Sequence, residues 1–430
     1  MRPGLAVAVG AVTALALSAC LGPAGSARVT GAEVSGDGTL RIGLILDNTG
    51  RQSFLNAPQL AAAKLAVEEI NAAGGHKGKP VVLLPETVGT DTAAQARELV
   101  AARADVVIGP TDSSRAPGAI DVLSKAKVTL ISPANSAAGL SKYKSGGYYF
   151  RTSAAGVAQA SVLAKLAKDG GAKALAVMHE EGSYGQELAA AVTAAAQQAG
   201  LDPVVDAGFR PGRAQQAAAA VKAAAPDAVV LIAREDAQGA IAELNNAGLP
   251  GEKLILSDGA VNQYGSGLGA RALDGARGIL PGVFPAVDFQ AQLVSVDPGL
   301  KDMTFAAETY DAVNLAAIAA AAAADDAGTS IAAELAAVSG GTTQRPHDAG
   351  PASAGPDGAR PPGGATACES YEECLGVIRA GNRPDYDGES GRVNFDSNGD
   401  VTEANYVLYS FGADNKATMS GSETANSNDG

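Results

Sequence analysis

Tryptophan is absent from this chain of 430 residues, and aromatic residues make up only 4% of it. Alanine, valine, leucine and isoleucine must therefore build the core. Histidine is nearly as scarce, with His76, His179 and His347 scattered along the chain. His179-Glu180-Glu181 has no second histidine at zinc-ligand spacing, so no metal centre is expected. That triplet is read as a solvated strand end, although it lies close to Tyr184. The chain contains no Gly-x-Ser-x-Gly elbow and no Gly-Lys-Ser/Thr phosphate loop. Neither an enzyme nor a bound cofactor is expected. Positive charge is in deficit, with 32 Lys+Arg against 46 Asp+Glu and a net charge of −14. That balance argues against nucleic acid or an anionic membrane surface as a partner. Apart from the N-terminus no apolar run reaches transmembrane length, because the alanine-rich Ala316–Ala324 stops at Asp325-Asp326. Cysteines number three: Cys20, Cys368 and Cys374. In an oxidising compartment a disulfide closing the short Cys368–Cys374 loop is favoured over a metal pair.

The N-terminus reads as a targeting segment. Arg2 supplies a positive start, Leu5–Leu17 an apolar core, and Leu17-Ser18-Ala19-Cys20 resembles the lipobox of bacterial lipoproteins. A signal peptide over 1–19 is expected, with Cys20 lipidated. More than one acyl chain there would anchor the protein stably. Residues 20–39, rich in Gly, Ser and Ala, read as a flexible tether. The expectation is an extracytoplasmic, membrane-anchored protein.

From Leu40 onward strands alternate with helices. Strands are expected at Leu40–Leu46, Pro80–Pro85, Val106–Ile108 and Val128–Ile131, with helices over Ala57–Ala72, Thr92–Ala104 and Ala116–Ala126 between them. This alternation implies parallel strands joined by right-handed crossovers. The pattern restarts after Ser153, giving strands at Ala174–Met178, Val204–Ala207, Ala228–Ile232 and Leu254–Leu256. The helices between them are expected at Val157–Asp169, Ser183–Ala199, Ala214–Ala224 and Ala237–Ala247. The fold class is α/β, with two Rossmann-like doubly wound lobes. Helices follow at Phe305–Ala324 and Ile331–Val338, then a low-complexity insertion over 339–367. Two β-like runs, Gly391–Phe395 and Tyr406–Phe411, finish the fold. The polar residues 415–430 read as a disordered tail.

Asp105–Ser114 organises the first lobe: a buried strand, a Gly109-Pro110 break, then Thr111, Asp112, Ser113 and Ser114 where a helix can begin. Open α/β sheets bind ligands beyond such strand C-termini, where unpaired N–H groups and the helix dipole favour an anion. Two competing motifs are set aside. Gly265-Ser-Gly-Leu-Gly-Ala270 matches a dinucleotide pattern but follows no strand directly, so a loop is expected. Asp396-Ser-Asn-Gly-Asp400 resembles the start of a calcium loop, but its Gly comes too early and Asn-Gly reads as a hairpin turn.

Taken together the chain resembles the type I periplasmic solute-binding proteins of ABC importers, in the branched-chain amino acid and amide group. The residues carrying the likeness include Val67-Glu-Glu-Ile-Asn-Ala-Ala-Gly-Gly75, Val106-Val-Ile-Gly-Pro110 and Ile131-Ser-Pro-Ala-Asn-Ser136. Phe150-Arg-Thr152, Ser183-Tyr-Gly185 and Tyr310-Asp-Ala312 add order and spacing. Cys368–Cys374 followed by Asp385-Tyr-Asp-Gly388 looks like a variant of high-GC Gram-positive relatives.

The resemblance implies a Venus-flytrap. One lobe is formed by 40–152 plus 286–395 and the other by 153–281 plus 404–414. Three crossovers would join them near Thr152–Ala155, Gly282–Ala286 and Phe395–Glu403. The ligand carboxylate would meet Ser113, the backbone of Ala134, and Ser136. Tyr184 would close from the opposite lobe and Asp258 would take the ligand ammonium, with a further wall residue at Phe54 or Leu55. Two departures are noted. Arg234, in Arg234-Glu235-Asp236, stands where relatives have an aromatic residue. It either binds a second anionic group on the ligand or pairs with its acidic neighbours, and the pairing is the expectation taken. Asp112 either adds an ammonium contact or caps its helix. The implied protein is a monomer that hands an amino acid-like solute to an ABC permease. Alternatives are an amide, urea or short carboxylic acid as solute, or a ligand-sensing lipoprotein acting on a membrane signalling partner.

Overall fold

The computed structural model describes residues 28–29, 31, 33–340 and 365–426. In the first lobe β1 (Arg41–Leu46), β2 (Val82–Leu83), β3 (Thr87–Val88), β4 (Val106–Ile108), β5 (Thr129–Ser132) and β6 (Tyr149–Arg151) form one parallel sheet. Its order is β2-β1-β4-β5-β6, with β3 also on β1. The run Pro80–Pro85 yields only the two residues of β2, because its flanking prolines have no N–H to donate to a ladder. Three helices, α1 (Asn56–Ala72), α2 (Thr92–Ala101) and α3 (Ala116–Lys125), follow the expected apolar spacing. Alternation along β1 divides the core: Ile42, Leu44 and Leu46 bury with α1, whereas Ile45 buries with Leu99 of α2 and Ile120 of α3.

The second lobe repeats the plan. A parallel sheet is built from β7 (Ala174–Glu180), β8 (Asp202–Phe209), β9 (Ala228–Ile232), β10 (Leu254–Leu256) and β11 (Arg277–Pro281), in the order β8-β7-β9-β10-β11. Its helices are α4 (Gln159–Asp169), α5 (Ser183–Gln198), α6 (Gln215–Ala223) and α7 (Ala237–Asn246). Sequence reading passes over β11, whose five residues include a glycine and a proline.

After β11 the chain returns to the first lobe through α8 (Val287–Val296), α9 (Ala306–Ala323) and α10 (Gly328–Val338), with α8 and α9 packed on α1. Almost every residue of α9 is buried, which suits its alanine content: small side chains let neighbouring helices approach closely. No single described helix is long and apolar enough to cross a membrane. A small sheet of β12 (Ala365–Cys368), β13 (Arg383–Gly388) and β14 (Gly391–Arg392), with α11 (Tyr371–Arg379), lies against α9 and α10. Cys368 and Cys374 are disulfide-bonded and buried. Asp311 of α9 pins the β13–β14 turn, accepting from Tyr386 Oη at 2.8 Å, Glu389 N at 2.9 Å and Ser390 N at 2.7 Å.

Two expectations about the ends of the chain are corrected. The polar run is ordered as far as Asn426: β15 (Glu403–Phe411) pairs antiparallel with β11, and β16 (Ala417–Asn426) pairs antiparallel with β15. The turn between them is fixed by the buried Asn415, which donates to Gly269 O at 2.9 Å and accepts from Leu273 N at 3.0 Å. Backbone pairing needs no apolar side chains, which is why composition misleads here. The described part of the tether is docked. Asp325 and Asp326 accept the N–H groups of Gly36, Gly38 and Thr39 at 2.9–3.1 Å. Arg28 donates to Tyr149 O and Asn398 O, both at 2.9 Å, and lies over the Phe150 ring. Cys20, residues 1–27, the heart of the low-complexity insertion (341–364) and 427–430 lie outside the described residues.

Candidate functional site

Both parallel sheets have an order that reverses direction beside their first strand, between β1 and β4 in one lobe and between β7 and β9 in the other. Loops leaving the C-terminal ends of those strands form the crevice where open sheets bind ligands. The two crevices face each other. Arg234 Nη2, beyond β9, donates to Ser136 Oγ of the first lobe at 3.0 Å.

On the first-lobe side, β4 ends at Gly109, where φ is +112° and a Cβ would collide with the Ile45 carbonyl. Glycine is required there. The following loop is folded onto Asp47, which is fully buried and accepts from Thr111 N at 2.8 Å and Asp112 N at 3.1 Å. Burial raises the Asp47 carboxyl above its usual range, opposed by those two N–H groups and by Arg115. Ser113 Oγ accepts from Ser136 N at 3.0 Å and Ala137 N at 3.2 Å. With both acceptor positions used, its hydroxyl keeps a proton to donate. Ser136 is buried, its N–H on Ser113 and its Oγ on Arg234. Ala134 N–H, expected to face the ligand, instead donates to Ser132 Oγ at 3.3 Å in a local serine turn. Asp112 Oδ1 accepts from Ser114 N at 2.8 Å and Ser114 Oγ at 2.7 Å, so it caps its own turn. Phe54, at the end of the turn Gly50–Leu55, is 52% exposed.

On the second-lobe side, Tyr184 sits in the first turn of α5. A Cβ on the next residue, Gly185, would collide with the Glu180 carbonyl, so glycine lets the helix abut the end of β7. Tyr184 Oη donates to Asp258 and lies 3.2 Å from Ser257 Oγ. Burial, followed by the adjacent Asp258 carboxylate, drives the phenol pKa up, so it stays protonated. Gln159 forms a reciprocal pair with Asp258: its Nε2 donates to Oδ1 at 3.0 Å and its Oε1 accepts from Asp258 N at 3.2 Å.

Arg234 caps this arrangement. Its Cζ lies 3.8 Å from the centroid of the Tyr184 ring and its Nη2 is 3.7 Å from Asp258 Oδ2. Desolvation lowers its pKa, but Asp258 and Tyr184 outweigh that and the net shift is upward. The guanidinium is charged. It does not pair with its sequence neighbours as expected, because its backbone turns it into the cleft. The N–H groups of Arg234 and Glu235 both donate to Glu180 Oε2, at 2.8 and 3.0 Å, and Asp236 accepts from Gly212 N at 2.7 Å. Glu180 and His179 are accordingly no solvated strand end. Both are buried, and His179 Nε2 lies 3.3 Å from Asp206. Between Ser136 and Tyr184 lies a shallow pocket, partly open to solvent, with Ala137, Ala138, Val157 and Leu188 on its walls and Glu187 at its side.

Sequence reading missed Gln159 and set Glu180 aside. Glu180 ends a switch-point strand, a position at which an acidic residue warrants attention. Gln159 carried no such signal, because its role depends on where the first crossover delivers α4. The motif residues Asp396–Asp400 form a hairpin turn: Asp396 Oδ1 accepts from Asn398 N and Asp400 N, and Asp400 pairs with the buried Arg151 at 2.7 Å. The segment Gly265–Gly267 is a short turn within a loop.

A family model described as periplasmic binding protein matches residues 39–358. The chain belongs to this family. Within it, the Leu/Ile/Val-binding protein BraC3 of Rhizobium johnstonii is 32% identical over 177 residues, 40% of this chain and 48% of that one. The chain thus spans about half the length of the curated relatives it matches. Two solved periplasmic binding proteins share the fold. One is the branched-chain amino acid transporter substrate binding protein LivJ of Streptococcus pneumoniae in complex with isoleucine, with a TM-score of 0.61 at 19% identity, covering 90% of this chain and 99% of that one. The other is an ABC transporter solute binding protein of R. palustris in complex with 4-hydroxybenzoate, with a TM-score of 0.64 at 16% identity, covering 90% and 97%.

Proposed function

We propose that this periplasmic binding protein captures a small carboxylate-bearing solute between its lobes and delivers it to an ABC permease, with no bond chemistry. Supporting this, groups suited to an anion stand on both walls of one cleft. Ser113 and Ser136 offer hydroxyls from the first lobe, and Arg234, Tyr184 and Asp258 face them from the second. A solute spanning that gap adds contacts to both lobes at once and so stabilises the closed arrangement. The relatives bind leucine, isoleucine and valine by name, and the structural neighbours hold isoleucine or an aromatic acid. The protein acts outside the cytoplasm, held to the membrane by lipid on Cys20, and works as a monomer.

A thermal-shift panel of amino acids, amides and organic acids tests the capture. Binding to the native state alone raises the melting temperature, by an amount set by concentration over Kd. A rise with a carboxylate-bearing compound, lost in Ser113→Ala/Ser136→Ala, is expected. Absence of any shift across the panel would contradict the reading. Membrane fractionation of a Cys20→Ala variant tests the anchor, with release into the soluble fraction as the expected result.

A further inference from the structure

We infer that the solute is a monocarboxylate without an α-ammonium group, its carboxylate clamped between Ser113 and Ser136 on one lobe and Arg234 on the other. This rests on the solute-capture reading above and specifies its ligand.

An amino acid site needs an acceptor for the ammonium, and the acid in contact with both Tyr184 and Arg234, Asp258, is already engaged. Asp258 Oδ1 receives Tyr184 Oη and Gln159 Nε2, and Oδ2 faces the Arg234 guanidinium at 3.7 Å. An incoming ammonium would have to displace that guanidinium from the carboxylate while lying beside it, and like charges at such range oppose each other. Arg234 therefore occupies the place of the ammonium. Asp112 also contributes negative potential near Arg234, but its oxygens are turned to Ser114 and Arg115.

The same guanidinium is well placed for an anion. It is fixed from behind by Glu180 on its backbone, stacked on Tyr184, and 40% exposed in the cleft. A guanidinium presents five N–H donors in a planar fork that suits carboxylate geometry. The contact it makes to the first lobe goes to Ser136 Oγ, a neutral hydroxyl that a carboxylate oxygen can replace as acceptor. The adjacent walls, Ala137, Ala138, Val157 and Leu188, are apolar, with Glu187 at their edge.

Isothermal titration of the full chain tests the assignment with matched pairs: leucine against 4-methylpentanoate, phenylalanine against 3-phenylpropanoate, and each acid against its primary amide. The acids are expected to bind at least about tenfold more tightly than the amino acids, with the amides weaker still, since a charge-assisted hydrogen bond exceeds the 1.4 kcal/mol that tenfold represents. Arg234→Gln should weaken acid binding by about tenfold or more, and Arg234→Lys should recover part of it, with circular dichroism confirming that both variants fold. Amino acids binding while their acids do not, or Arg234→Gln binding acids normally, would overturn the inference and leave solute capture intact. No binding in either series would overturn both.

Discussion

Glu308, at the start of α9, is buried with its carboxyl pushed up to about 8, through desolvation and then the nearby Asp311. Its carbonyl accepts from Thr152 Oγ1 at 2.8 Å, where the first crossover leaves β6. A carboxyl whose folded pKa is raised holds its proton after the unfolded chain has released it. Its contribution is therefore intact below the ordinary value of 4.5 and is lost as pH rises toward about 8. Asp105, raised to about 7, and Asp311, raised to about 6, act in the same direction. His76, kept neutral by burial, opposes them as pH falls below 6.5. The Glu308→Gln variant isolates the residue: its melting temperature should gain on the parent between pH 5 and pH 9, reaching several degrees. A constant difference across that range would show that Glu308 does not titrate as described. Such residues were not legible in the sequence, because burial and hinge proximity are properties of the assembled fold. Ser113, Ser136, Tyr184 and Asp258, singled out by the resemblance to solute-binding proteins, each follow the end of a strand that the hydrophobic pattern marks. Arg234 was noticed as a departure, but its partners depend on how the Glu180 carboxylate orients its loop.

At the scale of elements, the strand and helix alternation was readable wherever strands are buried on both faces, as in β4, β9 and β10. It failed for half-exposed or polar strands. β16 is the clearest case, a strand written in Thr, Ser, Gly and Glu and held by its ladder to β15. Asn415 anchors its turn through hydrogen bonds to Leu273 and Gly269. Asn415→Ala should therefore destabilise the protein by about 1–3 kcal/mol, the cost of leaving buried polar partners unmatched. Truncation after Gly412 should lower the melting temperature further. An unchanged unfolding transition in both would contradict the ordered tail.

For the whole molecule, the decisive feature is that two lobes with the same strand order present their switch points to each other. The fold class follows from alternation and restart in the sequence. The facing of the lobes does not, because it depends on contacts of the assembled chain, such as the Arg151–Asp400 pair that ties the end of β6 to the Asp396–Asp400 turn. The docked segment from Arg28 to Thr39 adds a constraint that composition concealed: the tether is attached to the first lobe along part of its length.

The most direct measurement is a crystal structure of the protein with the tightest-binding acid from the titration series. The account predicts the carboxylate between the lobes, with oxygens at about 3 Å from the Ser113 and Ser136 hydroxyls and from the Arg234 guanidinium. A ligand bound with its carboxylate away from Arg234, or outside the cleft between β4 and β9, would contradict it.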